Sequence, residues 1–154
     1  MGAGIAQVSA CAGYSLTLVD IKADVIEGGV ASIRSSLTRM VSKGRLDQKT
    51  SDEALDRIQT SLDLEDLAEC DLVVEAIPEV LDLKTSTFSR LDAICKPSAI
   101  LASNTSSISI NTIAESTSRP ERVIGMHFMN PVPIMKLVEV INAVSYTHLT
   151  LPTT

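Results

Sequence analysis

Between Ala23 and Lys43 the apolar residues Ile26, Val30, Ile33, Leu37 and Met40 recur at spacings of 4, 3, 4 and 3, the period of one helix face. This amphipathic helix sits among apolar runs too short to be helices, and that alternation constrains the fold more than any other feature. Leu16-Thr-Leu-Val-Asp20 reads as a short strand before it. Ile5 to Cys11 reads as a small-residue helix stopped at Gly13, and Gly44 stops the long one, glycine being the residue that most readily closes a helix. A further short helix is expected from Thr50 or Ser51 to about Ile58. Beyond it come a buried strand over Asp71–Ile77, a helix over Val80–Cys95 and a strand over Ala99–Ala102. A short helix over Asn111–Ser116 and a strand over Arg122–Phe128 complete the series. Alternation at this spacing predicts an α/β fold: a doubly wound, mostly parallel sheet with helices on both faces.

Composition bounds the function. The 154 residues suffice for one domain with its own core, and 45% apolar with 21% charged residues is ordinary globular composition. A net charge of −6 offers no basic surface to nucleic acid or to an anionic membrane. No apolar run approaches the roughly 20 residues of a membrane span, and the start Met-Gly-Ala-Gly-Ile has no basic leader segment. Cys11, Cys70 and Cys95 are odd in number and lack metal-ligand spacing, so no metal site is expected. Free thiols in a reducing, cytoplasmic setting fit them best.

A dinucleotide-binding sheet requires a glycine-rich turn leading into a helix and an acidic residue closing the second strand about 20 residues on. Asp20 ends a strand, and Gly2 heads the preceding helix at a suitable separation. Gly2 is then expected to be the last fingerprint glycine, the one that lets helix and strand pack closely. The first strand and two earlier glycines would lie upstream of Met1. Gly2-Ala-Gly4 is not itself the start of the motif, because Gln7 stands where its final glycine belongs.

Two polar clusters carry the chemistry. His127 and Glu139 lie on apolar segments flanking the bend in His127-Phe-Met-Asn-Pro-Val-Pro-Ile-Met-Lys-Leu-Val-Glu139. If the chain reverses near Pro133, the two are equally far from the turn and meet across it. A glutamate buried within Leu-Val-Glu-Val-Ile requires a partner, and a histidine held by a carboxylate is fixed in one tautomer and made a better base. A structural ion pair would satisfy the same pattern. The second cluster, Ala102-Ser-Asn-Thr-Ser-Ser-Ile108, follows a strand, where α/β sheets bind ligands. Capping of the next helix by Ser103, Asn104 or Thr105 is the plainer reading, but one cap needs only one such residue.

Met1-Gly-Ala-Gly-Ile-Ala-Gln, Val73-Val-Glu-Ala-Ile, Ala102-Ser-Asn-Thr-Ser-Ser, His127-Phe-Met-Asn-Pro-Val-Pro and Lys136-Leu-Val-Glu-Val together resemble the amino-terminal domain of 3-hydroxyacyl-CoA dehydrogenases. The 3-hydroxybutyryl-CoA branch is the most similar. The resemblance covers residues 1 to 143 and implies a partial, Rossmann-like NAD-binding domain that lacks its first strand. It implies NAD-dependent oxidation of a (S)-3-hydroxyacyl-CoA to the 3-oxoacyl-CoA, in fatty acid β-oxidation or butanoate metabolism. His127 would be the general base, Glu139 its orienting carboxylate, and Ser106 a hydrogen-bond partner of the substrate oxygen beside the nicotinamide. Gly2, Asp20, Glu79, Lys84, Ser106 and Asn130 would contact the cofactor. Ser36 and Lys43 would contact coenzyme A; seven residues apart on a helix is about two turns, so both project from nearly one face.

The family also has a carboxyl-terminal helical domain, which closes the cleft and forms a homodimer and has no counterpart here. The isolated chain is therefore expected to be inactive. Residues 144 to 154, Val-Ser-Tyr-Thr-His-Leu-Thr-Leu-Pro-Thr-Thr, read as a non-native or disordered tail, and His148 is given no role. Two other readings remain open at this point: a related β-hydroxyacid dehydrogenase, which would use a lysine base on a helix, and a non-catalytic remnant binding no cofactor.

Overall fold

The periodic segment forms α2, Ala23–Ser42, with Ile26, Ile33 and Leu37 buried and Val30 and Met40 half-buried. In the computed structural model, which describes residues 1–143, it is preceded by α1 (Gly2–Cys11) and β1 (Leu16–Val19). It is followed by α3 (Gln48–Asp56), β2 (Ile58–Ser61), β3 (Leu72–Glu75), α4 (Leu81–Ile94), β4 (Ile100–Ser103), α5 (Ile110–Ala114), β5 (Val123–Phe128) and β6 (Val138–Asn142). Single 3₁₀ turns occupy Leu64–Leu67 and Pro120–Arg122. The tail expected at 144–154 lies outside the described residues. Among the described residues no helix is long and apolar enough to cross a membrane.

Two elements differ from expectation. The third helix starts at Gln48, not at Thr50 or Ser51, because Asp47 caps it by accepting from the Thr50 backbone N–H at 2.8 Å. Ile58 does not end that helix. It opens β2, whose short Ile-Gln-Thr-Ser run forms a strand only because it lies parallel to β1, with Leu16 opposite Ile58. Propensity in such a short, polar run is overridden by its neighbour.

The strands form two groups. β1 pairs with β2, and β3-β4-β5-β6 form a second ladder, parallel except for the antiparallel β5–β6 pair. Successive residues of a strand face opposite sides, and β3 shows the consequence. Val73 joins a core with Phe88 and Leu91 of α4 and Ile113 of α5. Val74 packs on the other face, with Ile5 of α1 and Phe128. Helices thus cover both faces of the larger sheet. A third core joins Ala6 and Ala10 of α1 to Ile33 and Leu37 of α2 and Ala54 of α3.

Candidate active site

Parallel pairing brings the carboxyl ends of β3, β4 and β5 to one edge, with Glu75 opposite Ser103 and Ser103 opposite Gly125. The period of two then sets which residues share a face. Glu75, two residues after Val73, faces α4, and His127, two residues after Gly125, shares its side of β5.

β5 and β6 bring His127 and Glu139 directly opposite each other. His127 Nδ1 lies 3.0 Å from Glu139 Oε2. A carboxylate only accepts, so Nδ1 carries the proton and Nε2 presents its lone pair. That lone pair lies 3.0 Å from Ser106 Oγ, whose hydroxyl donates to it. The premise that Glu139 is buried does not hold. Among the described residues β6 lies at the edge of its sheet, and the Glu139 side chain is 50% exposed, so register across the hairpin makes the pair, not avoidance of a buried charge.

Ser106 is placed by Glu79. One carboxylate oxygen of Glu79 accepts from the Thr105 hydroxyl, from the backbone N–H groups of Ser106 and Ser107 at 3.1 Å, and from Ser107 Oγ at 3.1 Å. Its other oxygen lies 3.3 Å from Lys84 Nζ. Burial by itself would raise this carboxyl, but the hydrogen bonds from Thr105, Ser107 and Lys84 outweigh it and hold the group at about 2. Residues 103–105 do not cap the helix that follows, whose N-cap is Ser109. Ser103 Oγ donates to Glu75 at 2.7 Å, and Asn104 Oδ1 accepts from Phe128 N at 2.8 Å, tying this loop to the residue after His127.

Lys84 is fully buried. Its ammonium lies 2.7 Å from Glu75 Oε1 and reaches the Ile77 carbonyl at 3.4 Å. Enclosed in this way, it holds Glu75 and Glu79 and does not present its own charge at the surface. The same enclosure leaves this helix lysine ill-suited to serve as a base. Glu75 was not singled out in the sequence. Its signal was there, a carboxylate inside Val73-Val-Glu-Ala-Ile77, the same kind of anomaly that drew attention to Glu139.

The remaining candidates are spread more widely. Asp20 follows β1, with Oδ1 accepting from Lys22 N at 3.2 Å. Ser36 is half-buried on α2, and Lys43 is exposed at that helix's C-cap. Asn130 is exposed in the bend after β5. Of the two glycines in the first turn of α1, Gly4 lies against the bend after β5. A Cβ at Gly2 would meet nothing within 4 Å among the described residues, whereas one at Gly4 would stand 3.0 Å from Val132 Cβ. Among the described residues, no group of three or more histidine, cysteine or acidic side chains could hold a metal ion. Cys95 is buried, Cys11 and Cys70 are half-buried, and all three are free.

The donor set suits a dinucleotide. Asp20 offers a carboxylate to ribose hydroxyls, the 105–107 loop offers hydroxyls, and the first turn of α1 carries no acidic side chain to repel a phosphate.

Residues 1–154 match the model of a family described as the NAD binding domain of 3-hydroxyacyl-CoA dehydrogenase, a match that runs past the boundary placed at 143. The chain is 49% identical over 145 residues to the 3-hydroxybutyryl-CoA dehydrogenase of Bradyrhizobium diazoefficiens, covering 94% of this chain and 50% of that protein. It is 46% identical over 147 residues to the mitochondrial hydroxyacyl-coenzyme A dehydrogenase of Rattus norvegicus, covering 92% and 47%. The crystal structure of (S)-3-hydroxybutyryl-CoA dehydrogenase from Ralstonia eutropha superposes with a TM-score of 0.91 at 44% identity, covering 96% of this chain and 52% of that one. The chain spans about half the length of the curated relatives it matches.

Proposed function

Because this chain belongs to the 3-hydroxyacyl-CoA dehydrogenase family, matching its NAD-binding domain, we propose that it is the cofactor-binding and proton-handling part of an enzyme that oxidises 3-hydroxyacyl-CoA to 3-oxoacyl-CoA. The observation that carries this reading is the hydrogen-bonded series Ser106–His127–Glu139, with 3.0 Å at each link. Removing two electrons from a secondary alcohol requires a base for the hydroxyl proton and an acceptor for the hydride. NAD, when bound, supplies the hydride acceptor. His127 Nε2 takes the hydroxyl proton, and Glu139 at Nδ1 stabilises the imidazolium that forms. Ser106, already within reach of Nε2, hydrogen-bonds the substrate oxygen and keeps it at the base. Asp20 receives the adenosine ribose, while Glu79 and Asn130 line the nicotinamide end. Ser36 and Lys43, on and just beyond α2, receive the coenzyme A portion.

The reading is tested in two steps. Titration of the chain with NAD, followed by calorimetry, is expected to show saturable binding that Asp20→Ala weakens. In a full-length enzyme carrying this domain, NAD reduction with 3-hydroxybutyryl-CoA is expected to depend on His127. Turnover indifferent to His127 would overturn the assignment.

A further inference from the structure

Glu75 takes no part in the proton path proposed above, yet it is 5% exposed and its carboxylate is fully engaged. Oε1 accepts from Lys84 Nζ and from the Ile77 backbone N–H, each at 2.7 Å, and Oε2 accepts from Ser103 Oγ at 2.7 Å. Its main-chain carbonyl also accepts from Asn104 N at 2.8 Å. We propose that Glu75 is a positioning residue that sets the meeting of Ser106 with His127, acting through Lys84 and Glu79 on one side and through Ser103 and Asn104 on the other. This rests on the reading of Ser106 and His127 as the proton-handling pair.

The two routes converge on that contact. On the first, the buried ammonium of Lys84 is shared between Glu75 and Glu79, at 2.7 and 3.3 Å. A buried ammonium is costly unless carboxylates balance its charge. If Glu75 withdraws, Glu79 alone must do so and is drawn toward Lys84. The other oxygen of Glu79 gathers the backbone N–H groups of Ser106 and Ser107, so any shift of Glu79 moves Ser106. On the second route, Glu75 fixes Ser103 by side chain and Asn104 by main chain, and Asn104 Oδ1 holds the N–H of Phe128, the residue after His127. Glu75 thus holds both halves of the Ser106–His127 contact. The Ile77 N–H also bonds to Glu75, which steadies the segment leading to Glu79. A buried cluster serving stability alone would bear on the whole fold and not on this contact in particular.

Glu75→Asp keeps the charge but is one methylene shorter, too short to serve Lys84 and Ser103 together. In a full-length enzyme carrying this domain it is expected to lower kcat about tenfold or more, since a displacement near 1 Å at a reacting group has effects of that order. In a Ser106→Ala background the same change is expected to cost less than about twofold, because the contact it positions is already gone. Equal losses in both backgrounds, or no loss in either, would overturn the proposal. Should Glu75→Asp fail to fold, Glu75→Gln is read in the same way: it keeps the length and its amide oxygen can accept from Lys84 and Ile77, but its NH2 can only donate, which reverses the bond with Ser103, and the charge of Lys84 is left to Glu79. The second readout is the ¹⁵N signal of His127 Nε2 in the present chain. It is expected to move in the Glu75 variant toward its position in Ser106→Ala, and an unchanged signal counts against the proposal. If Ser106→Ala and His127→Gln themselves leave kcat intact, the functional reading fails, while the Nε2 signal still decides whether Glu75 positions this pair.

Discussion

Ser106 Oγ lies 3.0 Å from His127 Nε2, although 21 residues and two elements separate them in the chain. The serine arrives on the loop after β4 and the histidine near the end of β5, and parallel pairing of these strands brings both to the same edge. The proposed proton path runs through this contact, and the following outcomes are expected from it and from its surroundings.

In a full-length enzyme carrying this domain, His127→Gln is expected to lower kcat by about 10²–10⁴-fold, the usual contribution of general acid–base catalysis. NAD affinity should change little, because the proposed cofactor contacts come mainly from Asp20, Glu79 and the loop after β4. Steady-state kinetics beside calorimetric NAD binding separates the two effects. A variant with unchanged kcat but lost NAD binding would make His127 structural.

Glu139→Gln keeps an acceptor for Nδ1–H but removes the charge that stabilises an imidazolium. A kcat loss smaller than that of His127→Gln is expected, on the order of 10-fold. Glu139 is half-exposed, so the thermal midpoint should move little. A collapse of stability with kcat preserved would identify a structural ion pair.

NAD is expected to be preferred over NADP by about tenfold or more in kcat/KM, because the Asp20 carboxylate would face the 2′-phosphate and like charges repel. Ile21, 85% exposed, supplies no cation beside it. Equal efficiency with the two cofactors contradicts this placement of Asp20.

Glu79 predicts acid sensitivity of the loop that carries Ser106. Burial raises its carboxyl, and the bonds from Thr105, Ser107 and Lys84 bring it from 4.5 down to about 2. A depressed carboxyl contributes stability that is complete above its unfolded value and fades as pH falls toward its folded one. Urea midpoints should therefore decline as pH falls from 4.5 to about 2, and Glu79→Gln should flatten that decline. Parallel curves for the two proteins would show that Glu79 is not the group responsible.

Arg119 closes the far end of α4. Its guanidinium donates to Asp92 Oδ1 at 2.5 Å, to the carbonyl of Asp92, and to those of Lys96 and Cys95 at 2.5 and 2.9 Å. Arg119→Met leaves Asp92 and these carbonyls under-satisfied in a nearly buried setting, at a cost of about 3 kcal/mol. The urea midpoint measures it, and a change below about 0.5 kcal/mol, as for an ordinary surface substitution, would show that the clamp adds nothing.

Much of the fold was legible because local periodicity carries it. The stripe from Ile26 to Met40 required a helix of the observed length. The apolar runs before Glu75, Ser103 and Phe128 read as strands on their own. The equal distance of His127 and Glu139 from the bend near Pro133 was also legible, since a hairpin is a local object whose register follows from its turn. Other elements carry too weak a local signal. Ile58-Gln-Thr-Ser61 has no strand pattern of its own and is a strand only against β1. Nor does local sequence show that Gly4 lies against Val132, far along the chain.

The sequence by itself therefore determined the order and type of most elements, the alternation that implies a doubly wound sheet, and the His127–Glu139 pair. Only the tertiary structure decided what Lys84, Glu75 and Glu79 do. Their partners lie on other elements, Glu75 meeting Ser103 and Glu79 meeting Ser107 across 28 residues each. Nothing in local periodicity encodes such a meeting; it follows from which strands lie side by side and which face of each turns toward α4. Tertiary structure also exposed Glu139, because β6 has a neighbour on one side only among the described residues. A glutamate in an apolar run looks buried in one dimension, and its exposure is fixed by the position of its strand at the edge of the sheet.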